Sequence, residues 1–308
     1  GHTYALEDAI NTERPKPGAS CLACKTADFV VALEKDGVDV NSMDFDQFVE
    51  DRPSMQTISC YDCHMDEIGT IQVTRDHFKK QIDKSNVNAN NAKVDSLSCA
   101  QCHVEYYLDP ETKEVVLPYE YGFETDDMLK YYDEIDFADW EHPETGAKLL
   151  KAQHPEIETF QGSSHDGMNM TCADCHMPEV EVDGKKVSSH TWTSPLKNDI
   201  KNACLKCHSD SSEEDLKKAV ETIQEKVTNR TDEVAVKLDN FINELAKKKE
   251  SGKLKDAELE KMQHIHREAQ FYWDYVFVEN GEGFHNVKKQ IKYLDHADEL
   301  LDQAMKEL

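Results

Sequence analysis

Five Cys-x-x-Cys pairs constrain this chain more than any other feature, because together they contain all ten cysteines of its 308 residues. Four pairs are followed directly by histidine, and the first is followed by lysine. The five motifs are Cys21-Leu-Ala-Cys24-Lys25, Cys60-Tyr-Asp-Cys63-His64, Cys99-Ala-Gln-Cys102-His103, Cys172-Ala-Asp-Cys175-His176 and Cys204-Leu-Lys-Cys207-His208. Cys-x-x-Cys-His is the attachment pattern of c-type haem, in which two thioethers fix the porphyrin and the next residue ligates iron.

Other uses of paired cysteines fit this pattern less well. Zinc ribbons do not require histidine at the next position, and cytosolic redox dithiols occur once per domain rather than five times. Histidine makes up only 14 of the 308 residues, so chance does not explain four such pairs. We therefore predict five covalently bound haem c groups.

The composition indicates how such a chain builds a core. Apolar residues make up 38% of the chain and charged residues 31%, so a core of protein alone would be thin. We expect the buried faces of the haems to supply the missing apolar contact. The formal charge of −27 argues against nucleic acid and anionic lipid surfaces as partners.

The sequence contains no run of eighteen apolar residues, which argues against a membrane-spanning helix. It shows no signal peptide, although haem attachment of this kind takes place outside the cytoplasm. We expect a processed or truncated periplasmic chain, soluble or held at the membrane through a partner.

The predicted fold class is mainly α, a multihaem cytochrome c with little β structure. Residues 1–210 form a haem-packed catalytic region with irregular polar stretches such as 85–91, and residues 211–308 form long helices, all within one integrated domain. Two short hairpins are predicted, one with Asp109-Pro110 in its turn and one with Asp183-Gly184.

Apolar residues at spacings of three and four predict three long C-terminal helices. The first starts near Ser212 and stops at Gly252, the second covers about 256–278, and the third runs from about Asn286 to the end. Their apolar stripe predicts either an intramolecular bundle or packing against a partner, and the pattern alone does not separate the two.

Lys25 occupies the position where the other motifs place histidine. Iron held by two histidines has no vacant position, so bis-histidine haems transfer electrons, whereas a haem with an open position does chemistry. A lysine amine must lose its proton to bind iron, which metal coordination enforces. The alternatives are that Lys25 is a solvated side chain or that this haem takes another ligand.

The order of one Cys-x-x-Cys-Lys motif and four Cys-x-x-Cys-His motifs resembles that of the pentahaem, ammonia-forming cytochrome c nitrite reductases. The resemblance covers essentially the whole chain and extends to residues 1–5, 102–107 and 150–155. It implies six-electron reduction of nitrite to ammonium at the lysine-ligated haem, fed by four bis-histidine haems.

The resemblance also implies roles for residues outside the motifs. Lys25 is then the proximal ligand of haem 1, and Tyr106 and His154 line its distal pocket as proton donors or hydrogen-bond partners. A calcium site is implied as well, which would hold the neighbouring pocket residues in place. Its ligands are the side chains of Glu105 and Gln153 and the backbone carbonyls of Tyr106 and Lys151.

The family pattern supplies three distal haem ligands: His190 for haem 2, His285 for haem 4 and His165 for haem 5. In this pattern the distal histidine of haem 3 is expected upstream of Gly1, and a nitrite-binding arginine immediately before Gly1. None of the other histidines matches the haem 3 position: His2, His77, His142, His264, His266 and His296. We expect a fragment without its N-terminal portion. The alternative is a chain that departs from the family in its active site.

Two further functions compete with nitrite reduction. A multihaem electron conduit without a substrate site would contain only six-coordinate haems, and an oxidase of hydroxylamine type would need further haem motifs and a cross-link signature. The resemblance implies a homodimer formed through the long helices. It also implies an electron donor, either a membrane-anchored quinol-oxidising cytochrome or a soluble multihaem cytochrome.

Overall fold

A computed structural model describes residues 2–64, 70–84 and 94–308 of the chain. The predicted irregular stretch 85–91 lies outside these residues. The α-helices of the described residues are, in chain order, α1 Ala5–Asn11, α2 Ala27–Asp36, α3 Phe45–Glu50, α4 Asp76–Lys84, α5 Val94–Ala100, α6 Thr125–Glu134, α7 Glu156–Phe160, α8 Ser164–Gly167, α9 Cys172–His176, α10 Pro195–Asn198, α11 Ile200–Ala203, α12 Glu213–Glu250, α13 Asp256–Phe277 and α14 Val287–Glu307.

Short strands and single turns of 3-10 helix join these helices. The 3-10 turns are His2–Tyr4, Ala19–Leu22, Val38–Ser42 and Cys60–Asp62. The strands are β1 Tyr107–Leu108, β2 Val115–Val116, β3 Trp140–Glu141, β4 Lys148–Leu149, β5 Glu179–Val182 and β6 Lys185–Ser188. Within the described residues they form three antiparallel pairs, β1 with β2, β3 with β4 and β5 with β6. Both predicted hairpins and the mainly α fold class are confirmed.

The chain divides into two compact units. The first contains residues 1–119 and 170–216, and therefore all five cysteine motifs. The second contains residues 120–169 and 217–308. The sequence-based boundary at 210 lies close to the end of the first unit, but residues 120–169, assigned by sequence to the haem-packed region, group with the long helices.

A hydrophobic cluster in the first unit surrounds the first cysteine motif. Leu22 and Ala23, which lie between Cys21 and Cys24, are almost fully buried together with Phe29 and Phe48. A Cβ atom at Gly18 would lie 2.6 Å from the carbonyl oxygen of Asn41, so the chain entering the motif approaches this neighbouring segment too closely for any side chain. The motif is therefore part of a packed core.

The second unit contains the three predicted long helices. Ser212 starts α12 as predicted, since its hydroxyl accepts a 3.1 Å hydrogen bond from the Asp215 backbone N–H. An ion-pair network joins α12 to α14, with Arg230 contacting Asp295 at 2.9 Å and Asp298 at 3.0 Å. Apolar side chains pack beneath it, including Phe241, which is fully buried. Among the described residues, no helix combines the length and apolarity required to cross a membrane.

The helical packing generates a stability prediction on α14. Leu301 is 1% exposed and Met305, one turn later, is 40% exposed. Leu301→Ala should lower the free energy of unfolding by about 2–5 kcal/mol, because it leaves a cavity among packed helices. Met305→Ala should change it by less than about 1 kcal/mol. Chemical unfolding followed by circular dichroism tests both, and equal midpoints for the two variants would contradict this packing.

Candidate functional site

The backbone of the first motif differs from that of the histidine motifs. His64, His103 and His208 donate their backbone N–H groups to the carbonyl of the first cysteine of their motifs, at 2.8, 2.9 and 3.0 Å. The Lys25 N–H instead bonds to the carbonyl of Leu22 at 2.9 Å, one residue closer in sequence. The lysine motif thus forms a tighter turn, and its ligand position differs in backbone geometry as well as in residue type.

Tyr106 packs against the hydrophobic cluster that also contacts Cys21 and Cys24. Burial is the main cause that raises the pKa of its hydroxyl above the usual range, and the sulfurs of Cys24 and Cys21 act in the same direction. The charge of Arg14 opposes this rise, and it also lowers the pKa of Cys21 against the effect of burial. A phenol that keeps its proton and a cation therefore accompany the lysine motif.

The cysteines of neighbouring motifs lie close to one another. A hydrogen bond from the Cys102 thiol lowers the pKa of Cys24 to about 7, against the effect of burial. Cys99 is hydrogen bonded to Cys172, which together with burial raises the Cys99 pKa. All ten cysteines are free thiols. The first, third and fourth motifs are therefore adjacent, and their thiols are available for thioether formation.

Arg75 connects the first three motifs through a buried network. Its side chain is 1% exposed, and its Nε donates to the carbonyl of Ala23 in the first motif at 2.7 Å. Its Nη2 pairs with the carboxylate of Asp62 in the second motif, which is 3% exposed. Gln101 of the third motif accepts the Arg75 backbone N–H at 3.0 Å and donates to the Asp62 carbonyl at 2.8 Å. Sequence analysis missed Arg75 because nothing in its local pattern marks it.

The structure brings together one predicted pair of axial ligands. The ring centroids of His64 and His190 are 6.4 Å apart, with 33° between the ring planes. Two imidazoles on opposite sides of one metal ion, each with a metal–nitrogen bond of about 2 Å, place their centroids about 6 Å apart. Each ring also bonds through Nδ1 to a backbone carbonyl, His64 to Thr70 and His190 to Ser188, both at 3.0 Å. This contact selects Nε2 as the metal-binding atom.

A second pair of histidine rings also lies close together. His2, which was set aside as a ligand, has its ring centroid 5.8 Å from that of His103. Burial, and next the neighbouring His103, lower the pKa of His2 to about 4. The expectation that the haem 3 partner lies upstream of Gly1 stays a prediction, and this ring contact makes His2 a second candidate.

The remaining predicted ligands are distributed over both units. In the first unit, the Nδ1 atom of His176 bonds to the Thr193 carbonyl at 3.0 Å, and His208 is exposed after the last motif. In the second unit, the ring of His165 lies 5.9 Å from that of Phe284. The second unit also contains His285, whose Nδ1 contacts the carboxylate of Glu279.

The predicted calcium ligands fall two in each unit. Glu105 in the first unit is fully buried and precedes Tyr106. In the second unit Nε2 of Gln153 donates a 3.1 Å hydrogen bond to the Lys151 carbonyl, so these two predicted ligands are neighbours. Asp274 of α13 fixes this segment, because its carboxylate pairs with Lys151 Nζ at 2.9 Å and accepts the Ala152 N–H at 2.9 Å. The four-residue set stays a prediction.

His154 follows this segment in the second unit. Its backbone carbonyl accepts the Glu156 N–H at 2.9 Å at the start of α7, and its side chain is half-buried. The anchoring of Lys151 and Ala152 by Asp274 therefore limits movement of the chain directly before His154. Its role in a distal pocket stays a prediction.

The described residues fit c-type haem on three counts. The thiols of each Cys-x-x-Cys pair lie on one helical turn, and the ring nitrogens of His64, His176 and His190 are fixed through Nδ1. The His64–His190 separation suits a metal ion between the rings. Together these features support attachment of haem and electron transfer through it.

Comparison with known proteins gives a consistent result. The cytochrome c552 family profile matches residues 1–308. The chain is 34% identical to the cytochrome c nitrite reductase subunit NrfA of Nitratidesulfovibrio vulgaris, over 99% of this chain and 64% of that protein. It is 33% identical to cytochrome c-552 of Maridesulfovibrio salexigens, over 100% of this chain and 65% of that protein. The chain thus spans just under two thirds of the length of these relatives.

Solved structures agree with the sequence comparisons. The cytochrome c nitrite reductase of Desulfovibrio desulfuricans, whose catalytic subunit NrfA is described as having two calcium sites, superposes with a TM-score of 0.89 at 30% identity. The match covers 99% of this chain and 70% of that one. An outer cell wall cytochrome, OcwA, is 20% identical with a TM-score of 0.54 and shows similarity of fold alone.

The buried network generates a prediction about Arg75. Arg75→Met should lower the free energy of unfolding by about 3–5 kcal/mol, because it leaves the Asp62 carboxylate buried without its cation. The double variant Arg75→Met, Asp62→Asn should recover part of this loss. Arg52→Met is the control, since the Arg52–Asp36 pair is 3.5 Å long and partly exposed, and it should cost about 1 kcal/mol or less. An Arg75 variant no less stable than the Arg52 variant would contradict a structural role for the network.

Proposed function

The chain belongs to the cytochrome c552 family, and from this premise we propose that it carries out periplasmic, six-electron reduction of nitrite to ammonium. The observation that carries the proposal is the Lys25 motif, which differs from the four histidine motifs in both its ligand and its turn. Because one motif of five differs in its ligand and its backbone turn, we expect one haem to have a different function from the other four.

Lys25 is proposed as the proximal ligand of haem 1. When bound, this haem supplies the electrons and an open iron position for nitrite. Leu22 and Ala23 hold the motif in the hydrophobic cluster, and Arg75 bonds to the Ala23 carbonyl, so the turn that presents Lys25 is fixed on both sides. A fixed backbone limits the positions that the flexible lysine side chain can reach.

Tyr106, Arg14 and His154 are proposed to act on the substrate. The raised pKa of Tyr106 keeps its hydroxyl protonated at pH 7, so it can donate a hydrogen bond or a proton. The charge of Arg14, felt by both Tyr106 and Cys21, favours an anion such as nitrite. His154 is proposed as the second proton donor.

Four bis-histidine haems are proposed to supply electrons to this site. His190 is assigned to the haem of His64 and His2 to the haem of His103, on the ring separations of 6.4 and 5.8 Å. His285 and His165 are assigned to the haems of His176 and His208 on the family pattern.

Calcium is proposed as a second cofactor, bound by Glu105, Tyr106, Lys151 and Gln153. The calcium sites named for the D. desulfuricans enzyme support this assignment. Oxygen donors of this kind suit calcium.

Further partners are proposed from the family. They are an electron donor, either a membrane-anchored quinol-oxidising cytochrome or a soluble multihaem cytochrome, and a second copy of the chain in a homodimer. The second candidate function is a multihaem electron conduit without a substrate site. It would require Lys25 to leave no open iron position.

The test is low-temperature electron paramagnetic resonance of the oxidised holoprotein, before and after addition of nitrite. We expect one high-spin or distinctly coupled signal that nitrite alters. Lys25→His should keep the haem but depress nitrite turnover, because the ligand strength and the geometry of the site change together. His154→Ala should lower turnover by about 100-fold with little loss of fold, because a proton donor is removed. Five low-spin haems indifferent to nitrite would instead establish the conduit.

The His2 assignment has its own test. His2→Ala should convert one low-spin haem to high spin, because the iron of the His103 haem loses its sixth ligand. His264→Ala is the control, since His264 is exposed on α13, and its spectrum should be unchanged. The spin states of the two variants are compared by paramagnetic resonance and optical absorption. An unchanged spectrum for His2→Ala would exclude His2 as an axial ligand.

A further inference from the structure

Glu279 is a buried carboxylate in the segment between α13 and α14. The residue is 2% exposed. Among the described residues, its contacts do not include the lysines and arginines that form ion pairs on the long helices. It accepts hydrogen bonds from the Gly281 backbone N–H at 3.0 Å and from Gln290 Nε2 at 2.6 Å. Its third contact is with Nδ1 of His285. A carboxylate buried at this position needs such donors to remain charged.

The local packing forces this contact with His285. A Cβ atom at Gly281 would lie 2.6 Å from Nδ1 of His285 and 3.0 Å from Oε1 of Glu279, so only glycine leaves room for the ring beside the carboxylate. Gln290, on the first turn of α14, is fully buried and fixes the other carboxylate oxygen. The Glu279–His285 geometry is thus determined by the backbone and by a third side chain.

Other predicted axial histidines have a different partner. The Nδ1 atoms of His64, His176 and His190 bond to backbone carbonyls, each at 3.0 Å. A carbonyl is a neutral acceptor, whereas the Glu279 carboxylate is charged, and hydrogen bonds to charged groups are about twice as strong as neutral ones. When Nε2 binds iron, Nδ1 carries the ring proton and donates it into this bond.

We propose that Glu279 is a positioning residue that strengthens His285 as an electron donor to iron and thereby lowers the reduction potential of the haem that His285 ligates. The inference rests on the proposed function for one point, that His285 is an axial ligand. A carboxylate that draws on the Nδ1 proton makes the imidazole more basic. A more basic ligand stabilises ferric iron relative to ferrous iron, since the ferric ion carries the greater charge.

This assignment has a consequence for the order of reduction. The haem of His285 should accept an electron after the haem of His64 and His190, whose two ligands both have neutral acceptors. Burial of Glu279 strengthens the effect, because water does not screen a charge that is 2% exposed.

The first test is a redox titration of the holoprotein and of Glu279→Gln, followed by optical absorption and paramagnetic resonance. Glutamine keeps the size and an acceptor oxygen but removes the charge. One low-spin haem should shift to a higher potential and remain six-coordinate, and the others should not move. Glu282→Gln is the matched control, because it removes the same charge from an exposed side chain three residues away. An equal shift of the reduction potential in both variants would mean that any lost negative charge has this effect, and it would overturn the proposal.

A second variant should move the same potential in the opposite direction. Gln290→Met removes the side-chain N–H that donates to the Glu279 carboxylate. More of the carboxylate charge then acts on His285, and the reduction potential of the haem that His285 ligates should fall further. This variant keeps the inference testable if Glu279→Gln fails to fold. No change in any potential, or a rise, in Gln290→Met would contradict the proposal.

His285→Ala separates failure of this inference from failure of the proposed function. If it changes the spin state of one haem while the Glu279 and Gln290 variants leave every potential unchanged, His285 is a ligand and Glu279 does not tune it. If His285→Ala leaves all haems low-spin, the ligand assignment itself is wrong, and the inference is overturned with it.

Discussion

The buried guanidinium of Arg75 is the interaction on which the arrangement of the first three motifs depends. The guanidinium contacts the backbone of the first motif and a carboxylate of the second, and the backbone N–H of Arg75 donates to the Gln101 amide of the third. Burial of an ion pair contributes little net stability, since desolvation offsets the attraction between the charges. Its effect here is geometric, because any other relative placement of these motifs would leave Asp62 or Arg75 buried without a partner.

The proposed metal ligands are held in place in two different ways. The lysine motif is fixed from the backbone, by a tight turn seated in a hydrophobic cluster. The histidines are fixed through their second ring nitrogen, by carbonyls in the first unit and by a carboxylate at His285 in the second. In the proposed assignment the sequence motifs specify the ligand, and the contact of its second ring nitrogen affects how strongly it would donate to iron.

The sequence predicted those features that have a local signature. The hairpins at Asp109-Pro110 and Asp183-Gly184, the helix start at Ser212 and the attachment motifs all depend on neighbours within a few residues, and the structure contains the predicted elements. The role of Arg75 depends on contacts with residues distant in sequence and that of Glu279 on burial, and no local pattern marks them. The contact between the rings of His2 and His103 has no local signature either, because the two residues lie a hundred positions apart in sequence. The grouping of residues 120–169 with the helices has the same cause, since it rests on long-range packing such as the Lys151–Asp274 pair.

The separation of the His64 and His190 rings has a kinetic consequence. The polypeptide holds these imidazoles 6.4 Å apart through carbonyl contacts on their outer nitrogens, so the spacing does not depend on the charge of a metal ion between them. A ligand pair held in this way moves little when iron alternates between its ferric and ferrous forms. If both histidines bind one iron, as proposed, this restraint would keep the reorganisation energy of that centre small and favour rapid electron exchange.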